Sequence, residues 1–293
     1  MATVSVHRTM TADVGAVGFV GLGQIGAPMA GQLVGWPGGL HVYDVRAEAM
    51  APLVAQGVTE ASGVADLGSS CDLISVMVLD DDQVRSVVAE LLTTAGVGSI
   101  IAVHSTIRAE TAEELAATAA TYGVDLLDVP VSGGFIGAHE GTLAAMVGGD
   151  RDAYERAKPA FACWATLSVH MGPAGAGTRT KLARNLMHFI AYTGAGEAQR
   201  LAEAAGLDLQ KLARVVRHSD SVTGGPGAIM VRDTTAPLAP DDALYDIFTH
   251  TRTLGEKDLT LALELAAGLG LDLPLARQAL EDFGPGLGLP RQE

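Results

Sequence analysis

The sequence predicts an α/β domain built on a parallel sheet, followed by an all-helical domain. Short apolar runs alternate with helical runs through residues 14–172, and this alternation is typical of parallel strands with helices on both faces of the sheet. No strand pattern follows, and residues 177–205 form an unusually long helical run. We therefore divide the chain into a short disordered tail (residues 1–13), an α/β domain (14–172) and a helical domain (173–293).

The individual elements follow from these patterns in chain order. Strands are predicted at residues 14–20, 40–45, 71–78, 100–104, 124–129, 143–147 and 167–170. Helices are predicted between them at residues 26–34, 47–56, 81–95, 109–122 and 154–160. The helical domain is predicted to contain helices at residues 177–205, 209–218, 251–269 and 274–283. Glycines such as Gly35 and Gly57 end the helices that precede them, because glycine readily adopts the left-handed conformation found at helix ends.

Composition excludes several classes of protein. The formal net charge is −15, without a block of Lys and Arg, which argues against nucleic-acid binding. Cys71 and Cys163 lack CxxC spacing and are expected to be free thiols in a reducing cytoplasm. The chain shows neither metal-ligand spacing nor a signal peptide, and it has no apolar run long enough for a membrane span. A cytoplasmic, metal-free enzyme without a membrane partner is expected.

A glycine-rich turn, Gly21-x-Gly23-x-x-Gly26, follows the first predicted strand and opens the first predicted helix. In this pattern the first glycine permits a tight turn, and the second lets the backbone approach a pyrophosphate. The third glycine lets helix and strand pack closely. The helix N-terminus offers N–H groups to the phosphates. The turn therefore predicts a dinucleotide-binding, Rossmann-type domain.

Asp44 ends the second predicted strand, 18 residues after Gly26. A carboxylate at this place is expected to accept hydrogen bonds from the adenine ribose of NAD and to repel the 2′-phosphate of NADP. Arg46 could soften that preference, so NADP remains possible. The alternative is a structural turn with an N-capping aspartate.

Lys181 and Asn185 lie four residues apart on the long predicted helix, so they share one face. A lysine whose pKa is lowered by burial or a nearby positive charge can exchange a proton with a substrate oxygen during hydride transfer. Asn185 could orient that oxygen. On spacing alone, a Lys and an Asn at these positions more often belong to a solvated helix face.

Four segments together carry a family resemblance. They are residues 18–30, which contain the glycine turn, 128–134 (DVPVSGG), 177–185 (GTRTKLARN) and 257–259 (KDL). With these motifs in this order, from about residue 16 to residue 280, the sequence resembles the 3-hydroxyacid dehydrogenases, a family that includes 3-hydroxyisobutyrate dehydrogenase. It departs from them at Gln24, often asparagine, and at His104, where an acidic residue is common. For His104 we favour a strand-end histidine with a satisfied hydrogen bond.

The resemblance implies a role for each matching residue. Lys181 would be the catalytic acid/base and Asn185 would hold the reacting oxygen, while Ser132, Gly133 and Gly134 would bind the substrate carboxylate. The implied cofactor contacts are Gly21, Gly23, Gln24, Ile25, Gly26, Asp44, Val78, Leu79, Gln83, Thr106 and Lys257. The resemblance also implies a site in a cleft between the domains, and a homodimer or homotetramer assembled largely through the helical domains.

His188 lies seven residues after Lys181, on the same helix face. It is either a second proton donor or substrate ligand, or a partly buried histidine that packs at the domain cleft. Lys181 argues against the related imine reductases, which typically carry Asp or Tyr at this position.

Three hypotheses follow. The first is an NAD-dependent dehydrogenase of a short 3-hydroxy acid. The second is an NADPH-dependent reductase of small aldehyde acids such as succinic semialdehyde or glyoxylate, and the third is a cofactor-binding protein that has lost its chemistry.

Overall fold

The computed structural model describes residues 14–291, so the predicted tail at residues 1–13 lies outside the described residues. The chain divides into two compact units, the first ending at Arg184 and the second beginning at Asn185. The division falls inside one continuous helix, Ala176–Ala204. The domain boundary that the sequence places after residue 172 stays a prediction.

The first unit is built on a sheet that is mostly parallel. Its strands are β1 (Val17–Val20), β2 (Leu40–Tyr43), β3 (Thr59–Glu60), β4 (Leu73–Val76), β5 (Ile100–Val103), β6 (Asp125–Asp128), β7 (Val131–Ser132), β8 (Leu143–Gly148) and β9 (Ala165–Gly172). The order in the sheet is β3-β2-β1-β4-β5-β6-β8-β7, with β9 paired to β8. The first six positions repeat the strand order 3-2-1-4-5-6 of the dinucleotide-binding Rossmann fold. The predicted fold class is confirmed.

Helices cover both faces of this sheet. They are α1 (Gly26–Gly31), α2 (Ala47–Val54), α3 (Val64–Ser70), α4 (Asp81–Leu92), α5 (Ala109–Thr121), α6 (Gly134–Glu140) and α7 (Arg151–Trp164). Successive strand residues enter opposite cores: Phe19 packs in one cluster and Val20 in the other. Because both faces are buried, every residue of β1, β4 and β5 is buried, and these strands are apolar throughout except at Ser75.

Four short elements of the first unit were not predicted from the sequence. Strand β3 and helix α3 occupy the segment between α2 and β4, and β7 and α6 follow β6. Strand β3 has two exposed residues and therefore lacks an apolar signal. Strand β8 runs antiparallel to both β6 and β7, so the sheet is mixed at this end.

His104 follows β5 and is buried among aromatic rings. Its Nδ1 lies 3.0 Å from the Val129 carbonyl oxygen and its Nε2 lies 3.0 Å from the Ser75 hydroxyl. Its ring centroid lies 5.1 Å from that of Trp164. Burial lowers the pKa of His104 to about 4, so the imidazole is neutral at pH 7. His104 is thus a core residue with satisfied hydrogen bonds, as the sequence interpretation favoured.

Every regular element in the described part of the second unit is a helix. It contains most of α8 (Ala176–Ala204), then α9 (Leu209–Thr223), a 3₁₀ turn (Gly225–Ile229), α10 (Tyr245–Gly268) and α11 (Pro274–Gly286). A small core contains Leu238, Phe248, Leu287 and Leu289. Buried Glu197 on α8 caps α11 by accepting hydrogen bonds from the Leu275 and Ala276 N–H groups, both at 2.9 Å.

The two cysteines and the hydropathy of the helices agree with the sequence analysis. Cys71 and Cys163 are both free thiols. No helix within residues 14–291 is long and apolar enough to cross a bilayer.

Candidate active site

The glycine turn lies between β1 and α1, and its three glycines differ in how much space surrounds them. Gly21 has φ +90°, and a Cβ there would collide with the Met77 carbonyl. A Cβ on Gly26 would collide with the carbonyl of Gly21 itself, which closes the turn. By contrast, a Cβ on Gly23 would meet nothing within 4 Å. The structure needs Gly21 and Gly26 for its own fold, whereas Gly23 leaves open space beside the turn.

The turn is placed where the strand order reverses. Strand β1 pairs with β2 on one side and with β4 on the other. In open α/β sheets, ligands bind in the crevice outside the carboxyl ends of the strands at such a reversal. The Gly21 turn and the loop after β4 therefore border the expected crevice.

Asp44 follows β2 and is buried beside the turn. Its Oδ2 accepts a hydrogen bond from the Leu22 N–H at 2.7 Å. Its Oδ1 accepts bonds from the Arg46 N–H at 2.9 Å and from the Arg46 Nε–H at 3.1 Å. Burial raises the pKa of Asp44, but the hydrogen bonds from Arg46 and Leu22 outweigh it and lower that pKa below its ordinary value. The carboxylate is therefore ionised at pH 7.

A cavity of about 820 Å³ opens at this crevice. Nine of the predicted cofactor residues line it: Gly21, Gly23, Gln24, Ile25, Gly26, Asp44, Val78, Leu79 and Gln83. Its walls also include Arg46, which the sequence analysis connected to the preference between NAD and NADP, and four residues that it did not assign to the cofactor: Val45, Val64, Ser86 and Val87. The open space beside Gly23, the ionised Asp44 and the apolar walls fit an adenine dinucleotide.

The loop after β4 is fixed by hydrogen bonds. Ser105 Oγ accepts a bond from the Val78 N–H at 3.0 Å and donates to the Val78 carbonyl at 2.7 Å. The Leu79 N–H donates to Gln83 Oε1 at 3.0 Å. Leu79 is nevertheless 80% exposed, so its side chain is available at the cavity mouth. Thr106, next to Ser105, is exposed but does not line the cavity, and its cofactor contact stays a prediction.

Lys181 lies in the second turn of α8, against the segment that follows β6. Its Nζ donates to the Val131 carbonyl at 2.6 Å and lies 3.2 Å from the Ser132 hydroxyl oxygen. Burial, and secondarily the Arg184 guanidinium, lowers the pKa of Lys181 below its ordinary value of 10.5. The structure thus brings Lys181 and Ser132 together, 49 residues apart in sequence.

Ser132 ends β7, and the two glycines after it have unusual backbone conformations. Gly133 has φ +131° and Gly134 has φ +63°. A Cβ on Gly133 would lie 2.9 Å from the Leu143 side chain, whereas one on Gly134 would meet nothing within 4 Å. A backbone of this kind can turn successive N–H groups toward an anion.

Three further predicted residues belong to the second unit. Asn185 and His188 lie on α8, four and seven residues beyond Lys181. The His188 ring lies 4.3 Å from that of Tyr192, centroid to centroid. Lys257 on α10 is exposed and forms an ion pair with Asp258 at 3.0 Å. Their contacts with substrate or cofactor stay predictions.

Two family models match the chain. Residues 16–172 match the NAD-binding domain of 6-phosphogluconate dehydrogenase. Residues 175–284 match the NAD-binding domain of NADP-dependent 3-hydroxyisobutyrate dehydrogenase. Together the two matches cover both units.

Individual relatives agree with these models. An uncharacterized oxidoreductase of Mycobacterium tuberculosis is 54% identical, over 94% of this chain and 95% of its own. The NAD-dependent L-serine dehydrogenase of Pseudomonas aeruginosa is 34% identical, over 90% and 89%. A crystal structure of an oxidoreductase from Mycobacterium avium 104 is 56% identical, with a TM-score of 0.91, over 94% and 99%. The Mycobacterium tuberculosis 3-hydroxyisobutyrate dehydrogenase with L-serine is 30% identical, with a TM-score of 0.66, over 94% and 95%.

Proposed function

This chain belongs to the family of NAD(P)-dependent 3-hydroxyacid dehydrogenases, and we propose that it interconverts a short 3-hydroxy acid and its semialdehyde or oxo acid by hydride transfer, with Lys181 as general acid/base. One observation carries the proposal: Lys181 Nζ is bound to the Val131 carbonyl and lies 3.2 Å from the Ser132 hydroxyl, in the segment assigned to the substrate. The nicotinamide cofactor, when bound, supplies the hydride acceptor for oxidation and the hydride donor for the reverse reaction.

Lys181 handles the proton of the reacting hydroxyl. In the oxidation direction a neutral amine at Nζ accepts this proton, and in the reverse direction the ammonium donates it. The lowered pKa of Lys181 supports this role because more of the amine is neutral near physiological pH. Asn185, one turn further along α8, would hold the reacting oxygen.

The substrate carboxylate would be bound by the Ser132 hydroxyl and by the N–H groups of Gly133 and Gly134. Support comes from the two consecutive positive φ values at the glycines, which leave the backbone accessible to an anion. His188 would contact the substrate or supply a second proton.

The relatives suggest the size of the substrate. L-Serine and 3-hydroxyisobutyrate, named for the proteins above, share a 3-hydroxypropanoate skeleton and differ at C2, which carries an ammonium group in one and a methyl group in the other. We therefore propose a 3-hydroxypropanoate with a small C2 substituent as the substrate class.

NAD is the proposed cofactor because the Asp44 carboxylate is ionised and lines the cavity. The paired Arg46 guanidinium supports the second candidate function, an NADPH-dependent reductase of small aldehyde acids. Arg46 is exposed at the same cavity and could bind a 2′-phosphate. Initial rates with NAD and NADP, over a set of short 3-hydroxy acids and aldehyde acids, discriminate between the two. A strong preference for NADPH would overturn the cofactor proposal.

The proposed assembly is a homodimer or homotetramer formed through the helical domains, and the proposed compartment is the cytoplasm. Exposed apolar side chains on the helices support an oligomer: Leu186 and Phe189 on α8, and Val215 and Val222 on α9. Light scattering after gel filtration measures the assembly directly, and a monomer at micromolar concentration would contradict it.

The acid/base role is tested by Lys181→Ala. Retained NADH binding with no turnover is the expected result. A cofactor-binding protein without chemistry would instead show no activity of the unaltered chain on any short hydroxy acid.

A further inference from the structure

Asp128, at the carboxyl end of β6, caps the helix that carries Lys181. Its side chain is buried, with the residue 1% exposed. Oδ1 accepts a hydrogen bond from the Gly175 N–H at 2.8 Å, and Oδ2 accepts one from the Thr178 N–H at 2.7 Å. The first N–H groups of a helix have no partner within it, and a cap usually comes from the residue just before the helix. Here the cap comes from about 50 residues earlier in the chain.

The first turn of α8 is also in direct backbone contact with the sheet. A Cβ on Gly177 would collide with the Met146 carbonyl and meet that of Asp128 at 2.5 Å. A Cβ on Gly148, at the end of β8, would lie 2.7 Å from the Gly177 nitrogen. The start of the helix can therefore move only if it separates from the ends of β6 and β8.

The start of α8 contacts the segment from Asp128 to Val131 twice, through the Asp128 cap and through the Lys181 side chain. Thr178 is bound to Asp128, and Lys181 lies one helical turn after Thr178. Lys181 Nζ returns to the Val131 carbonyl, three residues after Asp128. A displacement of the capped turn would therefore move Nζ relative to the Ser132 hydroxyl.

We propose that Asp128 is a positioning residue for the reaction: by capping α8 it holds the Lys181 amine against Val131 and Ser132. This inference rests on the acid/base role proposed for Lys181. Asp128 does not touch the lysine. It acts through the first turn of the helix, where a negative charge is also favourable because the helix N-terminus is positive.

The buried position of the Asp128 carboxylate supports this positioning role, because burial of a charged group is unfavourable. Burial raises the pKa of Asp128 above its ordinary value, although the hydrogen bonds from Thr178 and Gly175 act in the opposite direction. An exposed Ser or Asp immediately before α8 could cap it without that burial, but it would not connect the helix to the substrate segment.

A second buried carboxylate in the chain provides a matched control. Glu197 caps α11 with two hydrogen bonds at 2.9 Å, in the same way that Asp128 caps α8. Glu197→Gln therefore weakens an equivalent cap on a different helix.

The experiment compares Asp128→Asn with Glu197→Gln in the full-length protein. Turnover and the KM for cofactor are measured for each variant. The pH dependence of Lys181 acetylation by acetic anhydride is measured as well, by mass spectrometry of the Lys181 peptide.

Asp128→Asn is expected to lower kcat by about 10- to 100-fold, because a misplaced catalytic group slows the reaction by such factors. We expect the KM for cofactor to stay within about twofold, since no pocket residue changes. The acetylation midpoint should rise toward that of an ordinary lysine as Lys181 becomes hydrated. Glu197→Gln should lower Tm but leave kcat and acetylation unchanged.

Equal effects of the two variants on kcat and on acetylation would overturn the inference and leave Asp128 as a structural cap alone. The acetylation measurement does not depend on turnover. If Lys181→Ala keeps its activity, the acid/base proposal fails, but the acetylation comparison still tests whether Asp128 positions the lysine. Asp128→Glu, which keeps the charge and lengthens the side chain by one methylene, is compared in the same way if Asp128→Asn does not fold.

Discussion

The Asp44 carboxylate accepts a hydrogen bond from the Leu22 N–H at 2.7 Å, inside the glycine turn. This bond joins the end of β2 to the turn after β1. Asp44 therefore supports the cofactor loop itself, in addition to its expected contact with the adenine ribose. Its second oxygen is occupied by Arg46, so the preference between NAD and NADP depends on both side chains.

Asp44→Asn should shift cofactor preference toward NADP. The amide can still accept the Leu22 N–H bond, but it carries no charge to repel a 2′-phosphate and releases the Arg46 guanidinium. We expect the ratio of kcat/KM for NADP to that for NAD to rise by about tenfold, which corresponds to about 1.4 kcal/mol. Steady-state rates with both cofactors measure this ratio. Glu48→Gln, which removes an exposed charge on α2 near Arg46, is the control, and an equal shift in that variant would contradict the role of Asp44.

The oxidation rate should rise with pH through the titration of Lys181. The base form of the amine is required for oxidation, and the pKa of Lys181 lies below 10.5 because of burial and Arg184. The midpoint of the rise in kcat/KM for the hydroxy acid should therefore lie below pH 10.5, and the aldehyde reduction should show the opposite trend. Lys158→Ala, which removes an exposed lysine of α7, should leave the profile unchanged. A flat profile in the wild type would exclude Lys181 as the base.

Three glycine substitutions should separate folding from cofactor binding. Gly26→Ala places a methyl group against the Gly21 carbonyl, so both Tm and NADH affinity should fall. Gly23→Ala meets no protein atom within 4 Å, so we expect an unchanged Tm and weaker NADH binding. Gly31→Ala, in α1, also meets nothing within 4 Å and should raise stability by up to about 1 kcal/mol through helix propensity. Thermal unfolding and NADH titration give both quantities, and intact binding in Gly23→Ala would argue against a pyrophosphate at the turn.

His104 should make the first unit sensitive to acid. Its folded pKa of about 4 lies below its unfolded value near 6.5, so its contribution to stability is present above pH 6.5 and is lost as pH falls toward 4. The loss is at most about 3 kcal/mol, from 1.36 kcal/mol for each pH unit. His104→Gln should reduce the fall in unfolding free energy between pH 7 and pH 4.5, and the exposed His250→Gln should not. An identical pH dependence in wild type and His104→Gln would refute this assignment.

Much of the fold could be predicted because the hydrophobic pattern within each segment indicates whether it forms a strand or a helix. Buried parallel strands such as β4 and β5 are almost entirely apolar, and α8 is a long uninterrupted helix. The pairing of β8 with β6 in the antiparallel sense could not be predicted, because no local residue pattern encodes strand direction. Strand β3, with two exposed residues, gave no signal at all.

The candidate site was predictable where motifs lie close in sequence. The glycine turn and Asp44 were found from spacing, whereas the roles of Lys181 and Ser132 needed the family resemblance. Val64 and Val87 were missed as cavity residues because they lie on α3 and α4, whose placement is a tertiary property. Asp128 was part of a recognised motif, but its bonds to Gly175 and Thr178 span about 50 residues, and no sequence pattern indicated them.

Both tryptophans of the chain lie in the first of its two units. Trp36 donates to the Gly15 carbonyl at 2.7 Å and Trp164 packs beside His104, and both are buried in the first unit. The second unit contains no tryptophan. Tryptophan fluorescence therefore follows the unfolding of the α/β unit alone, whereas far-ultraviolet circular dichroism follows both units. A difference between the two melting curves would reveal that the units lose their structure in separate steps.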